Sequence, residues 1–98
     1  MTINWEELFK QDGLVFHCET EELANELLKI AHGLGYTWSG GDSYLIKNHW
    51  YMHRDDTCYD IYNGKIASIG YETRSGSEII NLNDLIKGNR RQFKLYRK

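Results

Sequence analysis

The sequence predicts one two-layer α+β domain, residues 1–98, in which a single main helix packs on a mixed β-sheet. Three observations predict this fold. Apolar residues between positions 21 and 34 recur at helical spacing, short runs of strand-forming residues flank them, and an Asn63-Gly64 pair separates two further runs. A chain of 98 residues has the size of one domain.

Two helices are predicted in the first third of the chain. Asn4 is a candidate N-cap of a short N-terminal helix, and Glu7 three residues later completes a capping box. Thr20 is suited to cap the second, longer helix, which becomes the main helix of the domain. The apolar stripe of this helix consists of Leu23, Leu27, Ile30 and Leu34.

The strands are predicted around this helix and after it. Residues 14–18 and 36–38 read as strands on either side of the helix, which predicts a β-α-β unit with a parallel crossover. An antiparallel meander then follows. Its Asn63-Gly64 pair predicts a two-residue hairpin turn that places Ile61 opposite Ile66. Further strands are predicted at residues 44–46, 58–62, 65–71, 78–82 and 93–97, and a helical turn at 84–87.

Charge is distributed unevenly along the chain. Residues 1–86, the acidic body, hold all 14 Asp and Glu side chains and half of the 12 Lys and Arg. Residues 87–98, the basic tail, hold the other half and no acidic residue. Such an asymmetry bears on partners rather than on fold. We expect the tail either to dock on the acidic body or to bind nucleic acid.

The cellular location of the protein and the redox state of its cysteines are predicted from features that the sequence lacks. No run approaches the ~20 apolar residues of a membrane span, and the acidic N-terminus has no apolar leader core. Only two cysteines are present, Cys18 and Cys58, so no disulfide framework is expected. These features predict a cytoplasmic protein that has two free thiols and does not bind a membrane.

Two sets of residues resemble metal sites. His49, His53 and Cys58 are zinc-ligand types, but no Cys-x-x-Cys pair anchors them, so we interpret them as separate residues near a hairpin. Asp55 and Asp56, with Asp60 nearby, resemble part of a nuclease site. Adjacent residues of an extended chain point to opposite sides, which favours a solvated loop.

Nucleophile and phosphate sites are also disfavoured. Cys18 is a candidate nucleophile with His17 or His32 as its base, but the neighbouring His17 faces the other side of the strand, and we expect a buried structural cysteine. The glycine-rich loop, residues 39–43, has the composition of an anion nest, but no helix follows it. We therefore expect no enzyme activity, no metal and no cofactor.

Aromatic side chains and carboxylates share the second half of the chain. The sequence has three Trp, seven Tyr and three Phe. Aromatic anchors combined with negative charge are typical of a surface that docks on a basic partner. We predict a partner-binding surface made of Asp55, Asp56, Tyr59, Asp60, Tyr62 and Glu72.

Five segments resemble a group of small uncharacterised proteins encoded by phages and prophages of Gram-positive bacteria. They are residues 18–24, 35–41, 57–59, 64–65 and 78–80. The resemblance implies a mobile-element origin. It also implies, by association, a non-enzymatic inhibitor of a bacterial defence protein, of the anti-CRISPR kind.

Two other functions stay open at this point. The chain is a nucleic-acid-binding module if its basic tail contacts phosphates. It is a nucleotide binder or sponge if the glycine-rich loop and nearby aromatics form a pocket. A homodimer through an open sheet edge is a further possibility. The tail residues that would contact nucleic acid are Lys87, Arg90, Arg91, Lys94 and Arg97.

Overall fold

A computed structural model of the chain describes residues 3–88, which form four helices and a mixed four-stranded sheet. This confirms the predicted α+β class. The helices are α1 Trp5–Phe9, α2 Glu21–Gly33, α3 Ile69–Ser75 and α4 Leu82–Ile86. The strands are β1 Leu14–Cys18, β2 Thr57–Asp60, β3 Lys65–Ser68 and β4 Glu78–Asn81. The tail residues from position 89 onward, including the strand predicted at 93–97, lie outside the described residues.

The predicted caps of the first two helices are confirmed. The Asn4 side chain accepts a hydrogen bond from the Glu7 amide at 3.1 Å. The Thr20 hydroxyl accepts one from the Leu23 amide at 3.2 Å. Each bond satisfies a backbone donor that the first turn of a helix leaves unpaired. Within residues 3–88 no helix is both long and apolar enough to cross a membrane.

The sheet order is β3-β2-β1-β4, so β1 and β2 form the centre. β1 pairs antiparallel with β2 and parallel with β4. β3 pairs antiparallel with β2 and so runs in the same direction as β1 and β4. α3 joins β3 to β4, so it is the helix that connects two strands running in the same direction.

The strand predicted at residues 36–38 is wrong. Trp38 donates its amide to the Asp42 carbonyl, and the Gly41 amide donates to the Trp38 carbonyl, which closes a turn. The Trp38 ring is buried in the core. The turn therefore uses the backbone amide and carbonyl of Trp38, which a sheet ladder would need. Residues 44–46 also form a turn instead of the predicted strand.

The predicted two-residue hairpin turn is also wrong. Pairing between β2 and β3 ends with Asp60 opposite Lys65, which leaves residues 61–64 as the loop. A two-residue type I′ turn needs positive φ at both Asn63 and Gly64. Only Gly64 has it, at +68°. Asp60 Oδ1 instead accepts a hydrogen bond from the Asn63 amide, and the register shifts by two residues relative to the prediction.

The end of the second predicted hairpin strand is a helix. The Ser68 hydroxyl accepts a hydrogen bond from the Tyr71 amide, which begins α3, and Gly76 ends it with a left-handed φ of 79°. Ser68 is therefore an N-cap that the alternation of apolar residues concealed. α4 begins after Asn81, whose side chain caps it, slightly earlier than the predicted turn.

The two faces of the sheet are covered unequally. The face that carries Leu14, Phe16 and Cys18 packs on α2 and holds the main hydrophobic core. The alternation of side chains puts Val15 and Cys58 on the other face, where both are buried. α3 contacts β2, β3 and β4 there. This short helix was absent from the predicted two-layer arrangement, and it forms one wall of the groove described below.

Candidate acidic groove and its surroundings

Tyr59 does not belong to the predicted partner surface. Its side chain is fully buried, and its hydroxyl donates to the Asn48 carbonyl at 2.6 Å. Burial also raises the pKa of the Tyr59 phenol, with smaller contributions from Cys18 and Glu21. Tyr59 therefore holds the long connection between α2 and β2 against the core and is not available to a partner.

The remaining predicted residues fall into two places. Asp55 and Asp56 are exposed on a 3₁₀ turn, Arg54–Asp56, directly before β2 begins. Asp60 lies at the other end of that strand. Asp55 and Asp56 therefore lie at one end of β2 and Asp60 at the other.

An open groove of about 670 Å³ brings three carboxylates together. Asp60, at the end of β2, and Glu72, on α3, come from the predicted set. Asp12, in the turn before β1, joins them. Asn63 Nδ2 donates to Asp12 Oδ1 at 3.0 Å and to Asp60 Oδ2 at 2.9 Å. One neutral amide therefore holds two carboxylates near each other without neutralising either.

The groove carries a net negative charge. Lys65 is the one Lys or Arg among its lining residues, and His53 lies at its border. Within residues 3–88 no salt bridge involves Asp12, Asp60 or Glu72. Carboxylates that lack a cationic partner create a negative potential that attracts a basic ligand or surface. We call this feature the acidic groove.

Glu72 differs from the two aspartates in how it is held. Its side chain is buried, and its Oε1 accepts a hydrogen bond from the Ser77 hydroxyl at 2.6 Å. This bond fixes the carboxylate between α3 and the start of β4. Glu72 therefore contributes charge to the floor of the groove, whereas Asp12 is exposed at its border.

Aromatic residues flank the acidic groove. Tyr71 lines it and is 56% exposed, and Tyr62 is 49% exposed beside Asn63. Of the other aromatics between residues 44 and 71, Tyr44 is buried like Tyr59, Trp50 is half-buried, and Tyr51 is exposed. About half of this aromatic cluster therefore serves the core, and the rest is accessible.

Sequence reasoning missed Asp12, Asn63 and Tyr71 as members of the groove. Asp12 lies far from Asp60 in sequence and approaches it only because β1 and β2 pair. The sequence predicts a strand over residues 65–71, whereas Tyr71 lies on α3. The Ser68 cap is the one local signal that indicates where Tyr71 lies.

The zinc-ligand types do not form a site. Within the described residues no three His, Cys, Asp or Glu side chains are placed to share a metal ion. The His49 ring packs on Trp38 at a centroid distance of 4.9 Å. Burial, with smaller effects of Glu72 and Asp56, raises the pKa of the Cys58 thiol to about 12. A protonated thiol is a poor metal ligand and a poor nucleophile.

Cys18 and His17 do not act together. Cys18 is buried, and burial is the main cause that raises the pKa of its thiol, with Cys58 adding to it. His17 faces the opposite side of the sheet, where its Nε2 donates to the Asp55 carbonyl at 2.6 Å. Its Nδ1 accepts from the Asn81 side chain at 3.4 Å. These bonds make His17 a link between the 3₁₀ turn and the sheet.

The Tyr59 hydroxyl anchors the long connection, which predicts a local effect of its removal. Tyr59→Phe deletes the donor to the Asn48 carbonyl and leaves the ring in place. We expect the free energy of unfolding to fall by about 1–2 kcal/mol, since a half-buried carbonyl loses its hydrogen-bond donor. Urea denaturation measures this. Tyr71→Phe is the control, because the Tyr71 side chain is exposed; equal effects of both variants would contradict this role of Tyr59.

Comparison with known proteins gives no relative: no protein-family model, no curated protein and no solved structure matches the chain.

Proposed function

We propose that the chain is a non-catalytic protein-binding domain that docks through its acidic groove on a basic surface of another protein. The observation that carries this proposal is the groove itself, where Asp12, Asp60 and Glu72 lie together without a salt bridge within residues 3–88. Tyr71 and Tyr62 are accessible beside these charges. Tyrosine is enriched in protein interfaces because it provides a large, rigid contact area together with a polar hydroxyl.

The partner class follows from the charge of the groove. A surface that binds nucleic acid is rich in Lys and Arg, so it is the basic surface that an acidic protein finds most readily. Carboxylates placed in a groove present negative charge to such a surface, as phosphates do. Together with the sequence resemblance to phage proteins, this supports an inhibitor of a nucleic-acid-binding defence protein in the bacterial cytoplasm, of the anti-CRISPR kind.

Affinity capture with matched variants tests this function. The groove variant combines Asp12→Ser with Tyr71→Ser. The control variant combines Glu22→Ser on α2 with Tyr51→Ser in the long connection, and so also removes one carboxylate and one tyrosine, at exposed positions elsewhere. We expect wild type and control to capture the same basic protein, with an affinity that falls as salt rises.

The groove variant is expected to bind that captured protein about 100-fold more weakly, since a tyrosine anchor and a charge pair are both lost. The purified partner allows this to be measured by calorimetry. Equal binding by the groove variant, or capture of no specific partner, would contradict the proposal. A salt-sensitive gel shift of DNA or RNA by the chain alone would favour the nucleic-acid-binding alternative instead.

A further inference from the structure

A second cavity, distinct from the acidic groove, lies beside the glycine-rich loop. It has a volume of about 380 Å³, which is within the usual range of small-molecule sites. Residues 39, 40 and 42 of the loop form one side, and Gly64 and Ile66 form another. The loop and the nearby aromatic side chain of Trp38 thus line one cavity. Sequence reasoning considered a nucleotide pocket from these same parts.

The cavity combines an apolar floor with two opposite charges. Trp38, Met52 and Ile66 supply apolar surface. Asp42 and Lys65 also line it, and neither forms a salt bridge within residues 3–88. A few charged groups around apolar and aromatic surface are typical of sites that orient a small ligand. Lys65 is suited to bind an anionic group of a ligand, and the Asp42 carboxylate is suited to accept hydrogen bonds from its donors.

His49 is held in this cavity in an unfavourable state. Its backbone is left-handed, with φ 56° and ψ 11°, which a non-glycine residue seldom adopts. Its Nδ1 is buried and has no hydrogen-bond partner in the described part of the chain. A left-handed non-glycine backbone and a buried unpaired polar atom are each energetically unfavourable. Such features are concentrated at ligand sites, where the surrounding structure maintains them.

The neighbours of His49 maintain this conformation through side-chain hydrogen bonds. The Trp38 indole donates to the Lys47 carbonyl at 3.0 Å, and the Tyr59 hydroxyl donates to the Asn48 carbonyl. On the other side, the Trp50 indole donates to the Cys18 carbonyl at 3.3 Å. The chain is therefore held by hydrogen bonds immediately before and after His49.

The loop also offers free backbone donors. The amides of Gly40 and Asp42 donate to no acceptor among residues 3–88, whereas the Ser39 amide donates to the Gly64 carbonyl at 3.0 Å. Gly41 has a φ of +96°, which lets the loop turn tightly. Free amides next to a lysine are suited to the oxygens of a phosphate group.

We propose that this cavity binds a nucleoside monophosphate. The heteroaromatic base lies against Met52 and Ile66, which line the cavity together with Trp38. Its N–H donors pair with the Asp42 carboxylate, and the His49 ring lines the cavity beside it. The phosphate lies near Lys65 and the Gly40 amide. The cavity volume of about 380 Å³ is large enough for a base with its ribose and phosphate.

Thermal unfolding with single compounds tests this site. AMP, GMP, CMP and UMP are each added at millimolar concentration, with the matching nucleosides and inorganic phosphate as separate probes. At least one monophosphate is expected to raise Tm by about 5 °C, and its nucleoside and phosphate alone to raise it less. No shift with any monophosphate overturns the proposal. A shift that phosphate reproduces fully also overturns it, because it shows an anion site only.

Variants then locate the site by calorimetry with the most stabilising monophosphate. Lys65→Gln is expected to weaken binding about tenfold, and Lys10→Gln, a lysine exposed on another face, to leave it unchanged. His49→Gly removes the ring while favouring the left-handed backbone, so the fold is kept and about fivefold affinity is lost. Unchanged affinity in both Lys65→Gln and His49→Gly places the ligand elsewhere and overturns the proposal.

Lys65 also lines the acidic groove, so one variant of this lysine distinguishes the two proposed sites experimentally. Removing the Lys65 charge makes the groove more negative, so Lys65→Gln is expected to strengthen the docking of a basic protein while it weakens nucleotide binding. Failure of one proposal therefore leaves the other testable.

Discussion

Gly64→Ala is expected to destabilise the fold by about 3 kcal/mol. A Cβ built on Gly64 lies 2.5 Å from the Ser39 amide nitrogen and 2.6 Å from the Thr37 carbonyl oxygen. Both are backbone atoms, so neither moves aside as the end of a flexible side chain would. The left-handed φ of +68° adds about 1 kcal/mol of strain for alanine. Moving the backbone away also weakens the hydrogen bond between Ser39 and Gly64.

Gly76→Ala separates the two causes. Gly76 has a similar φ of +79°, but a Cβ placed there meets no atom within 4 Å. This control is therefore expected to lose only about 1 kcal/mol. Urea denaturation of the three proteins measures the difference. Equal losses of stability in the two variants would contradict the close contact between Gly64 and the backbone of residues 37–39. That contact forms part of the wall of the second cavity.

Stability is expected to fall by about 3 kcal/mol between pH 8 and pH 10. Burial raises the pKa of the Cys58 thiol to about 12 and raises that of Cys18 as well. The folded state therefore keeps both thiol protons at pH 10, whereas the unfolded chain loses them near pH 9. Because the unfolded state then binds fewer protons, stability decreases as pH rises, by about 1.4 kcal/mol per thiol at pH 10. Above pH 10 the buried phenols of Tyr44 and Tyr59 act in the same direction, since their pKa values are also raised.

Cys58→Ala provides the control for this pH dependence. The variant starts from a lower stability at pH 8 because a buried side chain is shortened. Its further loss between pH 8 and pH 10 is expected to be about half that of the wild type, since one thiol has been removed. A free energy of unfolding that is the same at both pH values in the wild type would show that the thiols are not buried in the folded protein.

Local signals were sufficient for the first third of the fold. Asn4 and Thr20 cap α1 and α2 as predicted, and β1 has the predicted bounds. These features depend on residues within a few positions of each other, so the chain itself specifies them. The α+β class follows from them together with the hairpin.

The errors arose where distant contacts decide the structure. Residues 36–38 have strand-forming side chains, but they are irregular, and the burial of Trp38 and its indole bond to Lys47 hold them against the core. The hairpin register depends on the Asp60 side chain, which accepts from the Asn63 amide and ends the pairing early. Tertiary contacts of this kind override strand propensity.

The site was predictable only in part for the same reason. Negative charge and exposed tyrosines were visible in the sequence, and Asp60, Glu72 and Tyr62 do lie in or beside the acidic groove. The burial of Tyr59 depends on its place in the centre of the sheet, on the face that packs against the main core. Asp12 lies in the acidic groove only because β1 pairs with β2. Neither can be inferred without the strand order.

Amide hydrogen exchange of the chain, alone and bound to the captured partner, tests the central claim most directly. We expect exchange to become slower at residues 12–13 and 60–72, which form the acidic groove, and to stay unchanged along α2. The exposed face of α2 is also acidic, so it is the appropriate internal comparison. Slower exchange along α2 with no change at the acidic groove would contradict the proposed docking surface.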